Sequence, residues 1–390
     1  MVNIALVAGG GPSGQVADLA RALAPRGHRI RLYSRLDRPG PPVRLPVGPG
    51  LEVVYLPAGP PARIGSNRAL RHMGEFGGRL AADWAADPPD VVHAHFWLYG
   101  LAALAAVRSS PVPVVQTFHG LGSVQRRRPG GAGADLAERI RLEAAISRAV
   151  DLVVATSAGE VDELMVLGLP RRAALVVPDG VDTEQFSPIG PVADRPTSRR
   201  RLVSVGRLAP GSGHEFTIAA LRQVPDVELV IVGGPAATAL AADPAAQWLR
   251  ATAARHGVAG QVTLAGQVGN AGLAALLRSA DLMVCPQRDE PPRAAVVEAM
   301  ATGVPVVAVA AGGLADTVLD GVTGRLVTGN RPSALAAAVR QLLDTPAELG
   351  AYRAASLDRA RSRYGWPQIA TEIEAAYARV IRPTRVAVPG

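Results

Sequence analysis

The feature that most constrains the fold is the alternation, from end to end, of short apolar β-branched runs with alanine-rich helical stretches. The runs of the first half are NIALVAG, RIRLYSR, LEVVYLP, DVVHAHF, VPVVQTFH, LVVATS and ALVVPDG, and those of the second half are RRLVSVGR, VELVIVGG, VTLAGQV, LMVCPQ, VPVVAVAAGG and GRLVTG. Continuous apolar strands interleaved with helices indicate parallel sheets covered on both faces. Because one doubly wound sheet would not hold so many strands, we predict an α/β protein with two doubly wound domains.

A stretch without periodicity, SPIGPVADRPTSRR at 187–200, separates the two halves and has the Pro- and Ser-rich composition of a linker. After it the order of strand, glycine-rich loop and helix begins again, in RRLVSVG, RLAPGSGH and EFTIAAL. We therefore predict an N-terminal domain over 1–188 and a second domain over 189–365. An amphipathic helix over 366–390 is expected to pack back towards the N-terminal domain.

The charged residues exclude several kinds of chemistry. The chain has no lysine, so all 41 basic residues are arginine, and a Schiff-base lysine or P-loop cation is excluded. Arginine binds phosphate in a bidentate manner, so a net charge of +8 points to anionic small molecules or to peripheral contact with a membrane surface. With 4% aromatic residues and no basic helix carrying interleaved aromatics, we predict no nucleic-acid partner.

The single cysteine, Cys285, excludes an internal disulfide and a thiolate metal cluster. It lies in an apolar strand, which favours a buried structural role. No apolar run approaches the roughly 18 residues of a membrane span, and no basic leader precedes the first strand. We expect a cytoplasmic protein without stable membrane insertion.

A glycine loop at 9–14, GGGPSG, matches G-x-G-x-x-G between a strand and a helix. Alone it predicts a flavin- or nicotinamide-dependent oxidoreductase. That fold needs an acidic residue at the end of the second strand to hold the ribose, and the corresponding residue is Ser34, with Asp37 farther along. A tight turn without any ligand is the other open interpretation.

The second half has the stronger signal, PQRDEPPRAAVVEAMATGVPVV at 286–307. A helix is predicted to begin near Arg293 or Ala294, where the N–H groups of 293–296 would form an anion site backed by the helix dipole. Glu298, about one turn into this helix, can reach a ribose diol, and Glu290 faces the group beyond the phosphate. The pattern predicts a nucleotide-sugar site.

At this point the chain resembles the retaining glycosyltransferases of the GT-B fold, family 4. The matching motifs are Glu290 and Glu298 eight positions apart, the following AMA and GVPVV, VSVGRL, PDGVD, AAGGLADTVLDGVTGRLV, the final Trp366 helix and SGQVADLARALAPRGH near the start. The resemblance implies two Rossmann-like domains facing each other across a cleft. The N-terminal domain would bind the acceptor and the C-terminal domain the nucleotide sugar.

The resemblance also implies roles for individual residues. His119 would lie near the reacting sugar, Arg207 would neutralise the diphosphate leaving group, and Glu290 would contact sugar hydroxyls. The remaining donor-binding residues that it implies are Gly14, Gln15, Val268 and Glu298, and the predicted helix start adds Arg293, Ala294, Ala295 and Val296. No metal and no cofactor are expected, since arginine, a second cation and helix N–H groups would neutralise the leaving group.

Three departures from the family pattern concern this site. The lysine expected after Arg207 is Ser212, and either Arg293 or His214 is a candidate replacement cation. Two prolines and Arg293 follow Glu290 where the family has P-F-G. The asparagine of P-N-G-V-D is Asp179 here.

Acceptor-binding residues are less clearly marked. Arg126, in an arginine run after His119, is expected either in a solvated loop or in contact with an anionic acceptor. We expect the rings of His93 and His95 on opposite faces of their strand, a poor arrangement for one metal ion. One of the two would face the acceptor, and His95 is our candidate.

Together with these patterns, the family resemblance implies a retaining, metal-independent hexosyltransferase. It would move a hexose or N-acetylhexosamine from a nucleoside diphosphate sugar, most simply a UDP-sugar, to a small sugar, sugar phosphate, cyclitol or aminocyclitol. The alternatives are the flavin- or nicotinamide-dependent oxidoreductase and a nucleotide-sugar-binding protein with little turnover.

Overall fold

A computed structural model describes residues 1–108, 110–127, 133–287, 292–311, 313–329 and 331–381. The chain divides into two compact units, one formed by Met1–Gly180 with the segment that begins at Trp366, the other by Val181–Gly365.

The first unit is built on a sheet of eight strands in its described residues, in the order β3-β4-β2-β1-β5-β6-β7-β8. Its strands are β1 Asn3–Val7, β2 Arg29–Arg35, β3 Arg44–Gly48, β4 Leu51–Leu56, β5 Val91–His95, β6 Val114–Thr117, β7 Leu152–Ala155 and β8 Ala174–Val176. Its first helices are α1 Gln15–Leu23, α2 Ser66–Leu70, α3 Met73–Ala86, α4 Trp97–Ala106, α5 Gly122–Arg126, α6 Ala134–Ala149 and α7 Ala158–Val166. Buried apolar clusters lie on both faces of the sheet, as parallel strands of this composition require.

The second unit has six strands in the order β11-β10-β9-β12-β13-β14 over its described residues. These strands are β9 Arg200–Val205, β10 Val227–Val232, β11 Val262–Gly266, β12 Leu282–Cys285, β13 Val306–Val309 and β14 Gly324–Val327. Its helices are α8 His214–Ala220, α9 Pro244–Arg255, α10 Asn270–Arg278, α11 Arg293–Ala301, α12 Leu314–Thr317, α13 Pro332–Asp344 and α14 Pro346–Arg359, followed by a π-helical turn at Ala360–Tyr364. All its strand pairs are parallel, and apolar clusters again cover both faces.

The last described helix, α15 Trp366–Val380, belongs to the first unit and packs on α1. Its Ile369, Ile373 and Tyr377 are buried in the same apolar cluster as α1. Glu374 of this helix bonds the Arg26 guanidinium at 2.6 Å and His28 at 2.7 Å. These contacts join the end of the chain to its first helix.

Each strand predicted from the sequence contains an observed strand, which confirms the two parallel α/β sheets. The sequence analysis missed β3, an antiparallel edge strand against β4. Its Pro46 cannot donate to a ladder, and such a strand is tolerated at an edge.

The predicted boundary between 188 and 189 lies inside the second unit. The segment from Val181 packs on that unit: Val181 donates to the Tyr364 carbonyl at 2.8 Å, and Phe186 is buried in its core. Arg278 also donates to the carbonyls of Gln185 and Ser187. The segment is therefore held by side chains although it lacks helical or strand periodicity.

Candidate functional site

In the second unit the candidate residues gather where the strand order reverses. Strands β9 and β12 are neighbours in the sheet. From β9 the sheet continues through β10 and β11 to one edge, and from β12 it continues through β13 and β14 to the other edge. Ligands of doubly wound sheets bind outside the carboxyl ends of the strands at such a point. Gln287, after β12, donates to the Val205 carbonyl of β9 at 3.0 Å and so ties the two strand ends together.

Arg207 and Val268 each follow a strand end of this sheet. Arg207 is exposed in the loop after β9, and Val268 is half-buried after β11, beside the apolar cluster of α11. Both therefore lie at the carboxyl edge of this sheet. Glu290, the third predicted catalytic residue, lies outside the described residues.

Helix α11 begins at Arg293, as predicted, with Pro292 at its N-cap. In the first turn of a helix the main-chain N–H groups have no acceptor inside the helix, so Arg293, Ala294 and Ala295 present an edge suited to an anion. The prediction was wrong for Val296. Its N–H donates to the Pro292 carbonyl at 3.1 Å, and its side chain is fully buried, because the fourth residue is the first to close a helical turn.

Glu298 lies on the same helix, half-buried, and burial raises the pKa of its carboxyl group to about 7. No ion pair or hydrogen bond of this carboxylate is found within the described residues. A carboxylate in this setting is costly unless a ligand supplies hydrogen-bond donors.

His214 is the first residue of α8 and is completely buried. Its Nδ1 lies 3.2 Å from the Ser204 hydroxyl. Burial lowers the pKa of His214 to about 4, against a smaller opposing effect of the Gly206 main chain. The ring is therefore neutral at physiological pH and does not replace the missing lysine as a cation. Of the two candidates, Arg293 remains.

Glu215, next in α8, holds the loop that contains Ser212. Its carboxylate accepts from the N–H groups of Gly211 at 3.1 Å and Gly213 at 3.0 Å. The loop where the family has lysine is thus fixed by a carboxylate and carries no cation at position 212.

In the first unit the strand order reverses between β1 and β5. The glycine loop follows β1, with Gly14 exposed at φ +86° as the N-cap of α1 and Gln15 as the first helical residue. Only glycine adopts such a φ without strain, so the turn itself accounts for Gly14. Ser34 is buried in β2 and occupies the position where a dinucleotide-binding fold would have its ribose-binding carboxylate.

His93 and His95 share one face of β5, and the prediction of opposite faces was wrong. Strand side chains repeat every second residue, so positions two apart lie on the same side. Their rings stack with centroids 4.1 Å apart. The His93 ring is held on both sides, by Tyr377 Oη and Thr117 Oγ1, each at 2.9 Å, and burial lowers its pKa to about 3.

His119 follows the neighbouring strand β6 and adopts φ +54°, and Phe96 after β5 adopts φ +66°. Non-glycine residues rarely have positive φ, and such strain concentrates at functional sites. One nitrogen of the His119 ring is hydrogen-bonded, Nε2 at 2.9 Å from His95 Nδ1, and the other, Nδ1, faces Asp179 Oδ1 at 3.5 Å. Sequence reasoning missed the contact of Asp179 with His119 and that of Tyr377 with His93. The spacing of His93 and His95, two residues apart in a strand, was the signal that could have placed both rings on one face.

Gln15, His95 and His119 line one pocket of about 30 Å³ in this unit. Its other lining residues come from α1, from the ends of β6, β7 and β8 and from α15: Val16, Leu19, His93, Thr117, Val154, Thr156, Val177, Pro178, Asp179, Gly180, Trp366, Ile369 and Ile373. Arg126 is not among them and is exposed at the end of α5.

Comparison with known proteins identifies the family. The model described as Glycosyltransferase Family 4 matches residues 9–185, and that described as Glycosyl transferases group 1 matches residues 199–345. The chain belongs to the family 4 glycosyltransferases. D-inositol 3-phosphate glycosyltransferase 1 of Catenulispora acidiphila is 35% identical, with 97% of this chain and 93% of the relative covered. The corresponding protein of Xylanimonas cellulosilytica is 33% identical, covering 96% and 94%.

Solved structures agree on the fold of this glycosyltransferase. Sucrose-phosphate synthase from Thermosynechococcus elongatus has a TM-score of 0.84 and 26% identity, covering 97% of this chain and 99% of that one. Anabaena Alr3699/HepE, in complex with UDP and glucose, has a TM-score of 0.73 and 19% identity, covering 97% and 100%. The two parallel α/β domains match GT-B glycosyltransferases, and the oxidoreductase alternative is not supported.

Metal-ligand clusters and membrane-spanning helices were both absent from the described residues. No group of three or more histidine, cysteine, aspartate or glutamate side chains is arranged there to hold a metal ion. Within the same residues, no helix is both long enough and apolar enough to cross a membrane.

Proposed function

We propose that this glycosyltransferase moves a hexose or N-acetylhexosamine, with retention of anomeric configuration, from a UDP-sugar to a cyclitol phosphate or related sugar phosphate. The observation that carries the donor half of this proposal is Glu298. A half-buried carboxylate with a raised pKa and no protein partner among the described residues is suited to two hydroxyl donors, and a ribose diol supplies them.

The diphosphate is the second part of the donor. In our proposal it lies at the start of α11, where Arg293 adds a guanidinium to the N–H groups of the first turn. Arg207, after β9, supplies a second guanidinium. With two arginines and the helix N-terminus, charge on the leaving group is stabilised without a metal ion.

The first unit supports a mechanism without a side-chain base. His119 is the histidine that we place beside the reacting sugar; its Nε2 is hydrogen-bonded to His95, and its Nδ1 faces the Asp179 carboxylate at 3.5 Å. A ring so occupied does not take the proton of an acceptor hydroxyl. We therefore propose that the departing diphosphate takes this proton, on the same face from which it leaves.

The acceptor class comes from the relatives, which are named for D-inositol 3-phosphate and are covered over nearly their whole length. A chain with a net charge of +8 whose basic residues are all arginine is suited to a phosphorylated acceptor. Arg126 and His95 are the residues that we propose on the acceptor side.

A transfer assay tests the proposal. UDP-N-acetylglucosamine, UDP-glucose and UDP-galactose are each incubated with inositol 1- and 3-phosphate, glucose 6-phosphate and fructose 6-phosphate in EDTA, and products are detected by mass spectrometry. We expect a product with an inositol phosphate whose new linkage is α by NMR. A β linkage, or activity only after metal addition, contradicts the corresponding part of the proposal.

Matched arginine variants assign the leaving-group role. Arg207→Ala and Arg293→Ala are each expected to lower kcat by roughly 10²–10³, the usual effect of removing one charge-stabilising donor. Arg222→Ala, an exposed arginine of the same unit, is the control and is expected to keep full activity. Equal rates for all three variants would refute both assignments.

A second candidate, donor binding with little turnover, is favoured by one observation: position 212 is serine, and His214 is buried and neutral. It predicts that UDP-sugars bind but that no acceptor in the panel is glycosylated. Hydrolysis and transfer rates measured in the same assay decide between the two.

A further inference from the structure

A chain of hydrogen-bonding groups in the first unit ends in the pocket without a partner. It begins with a charge contact, Asp179 Oδ1 at 3.5 Å from His119 Nδ1, and continues with a hydrogen bond of 2.9 Å between His119 Nε2 and His95 Nδ1. The last member is His95 Nε2, which is buried and has no partner among the described residues. The direction in which the hydrogens point along this chain decides what the pocket can bind.

Asp179 sets that direction. The negative charge of the carboxylate, 3.5 Å away, favours the tautomer of a neutral His119 that carries its proton on Nδ1, and Nε2 is then an acceptor. His95 must donate to it from Nδ1. A neutral imidazole carries one N–H, and burial holds the pKa of His95 well below its ordinary value, so its Nε2 carries no proton.

The pocket contains a second buried acceptor. Gln15 Oε1 is also without a partner among the described residues, and Gln15 and His95 both line the pocket. Two unpaired buried acceptors are costly, and they cannot bond each other. A volume of about 30 Å³ is enough to hold a water molecule.

We propose that Asp179 fixes the tautomers of His119 and His95, and that the two acceptors thus left, His95 Nε2 and Gln15 Oε1, hold one resident water molecule that donates a hydrogen bond to each. The water completes the chain that runs through His95 and His119 to Asp179. Asp179 and His95 are then positioning residues for His119. The inference concerns hydrogen positions in the ligand-free protein. It is tested without any sugar nucleotide, so its failure is distinguishable from a failure of the proposed function.

The tautomers are measured by NMR of full-length protein labelled with ¹⁵N-histidine, at about pH 8. We expect N–H at Nδ1 and a bare Nε2 for both His95 and His119. In Asp179→Asn the side-chain amide can donate to His119 Nδ1, and every hydrogen in the chain then reverses, so both rings are expected to change to the Nε2–H form.

Asp162→Asn, an exposed carboxylate in α7, is the matched control and is expected to leave both rings as in the wild type. A wild-type His119 with its proton on Nε2, or identical tautomers in wild type and Asp179→Asn, overturns the proposal. If Asp179→Asn does not fold, the wild-type tautomers alone decide.

The water is tested by a crystal structure of the ligand-free protein at high resolution. We expect density within about 2.7–3.2 Å of both His95 Nε2 and Gln15 Oε1, and its loss in Gln15→Leu. An empty pocket, or a direct bond between Gln15 and His95, overturns the water site.

Discussion

Glu298→Gln is expected to stabilise the second unit at alkaline pH while weakening its response to UDP. Burial raises the pKa of Glu298 from about 4.5 to about 7. Between these two values the folded protein holds a proton that the unfolded chain has released, so stability falls as the pH rises through this window. The carboxylate form is present above pH 7, where the folded state bears the full cost of burying the charge.

The size of the effect follows from the shift. Each pKa unit corresponds to about 1.4 kcal/mol, which gives an upper value of roughly 3 kcal/mol. Because Glu298 is only half-buried, water screens part of the charge, and we expect about 1–2 kcal/mol. For a unit of this size that is a rise in Tm of roughly 2–8 °C.

Scanning calorimetry between about pH 5 and pH 8 makes this visible. Glutamine resembles protonated glutamate, so the Tm of Glu298→Gln is expected to coincide with that of the wild type near pH 5 and to exceed it near pH 8. Asp226→Asn, which changes an exposed carboxylate in the same unit, is the control. The difference between its Tm and that of the wild type is expected to stay the same across this pH range. Parallel curves for wild type and Glu298→Gln would refute the buried-charge reasoning.

The same variant tests the ribose contact. UDP at 100 times its Kd should stabilise the wild type by about 2.7 kcal/mol. Hydrogen bonds to a charged group contribute roughly 1.5–3 kcal/mol, so Glu298→Gln should raise the Kd for UDP tenfold or more. An unchanged Kd would place the nucleotide elsewhere, even if the Tm prediction held.

Three further results are expected. Arg26 and His28 lower the pKa of Glu374 to about 2, so this contact loses its stabilisation as the pH falls from about 4.5 to 2. In Glu374→Gln, the loss of unfolding free energy over this pH range in acid denaturation should be smaller than in the wild type by about 1 kcal/mol or less. Gly233→Ala should cost about 1–3 kcal/mol in urea unfolding, because φ is +136° and the added Cβ meets the Gly206 carbonyl; a neutral result would refute this close approach. Burial raises the pKa of Cys285 to about 12, so a thiol reagent should label it only in denaturant, and rapid labelling of the native protein would contradict this burial.

Local patterns were sufficient wherever the physics is local. Strand positions followed from apolar runs. The start of α11 followed from the prolines before it, because proline is favoured at the start of a helix and disfavoured in its interior. The same reasoning failed at Val296, where counting hydrogen bonds within one turn would have sufficed. It also failed at β3, whose short sequence RLPVG has little apolar signal.

The sequence by itself determined the fold class, the family and the loops that carry the candidate residues, because periodicity and motif spacing are properties of neighbouring positions. Only the tertiary structure decided which of those residues meet. His95 and His119 touch because β5 and β6 are paired in register, and Tyr377 reaches His93 because α15 packs on the first unit. It also decided that His214 is neutral, since burial depends on everything packed around the ring. Contacts of this kind depend on strand order and long-range packing, which no local pattern contains.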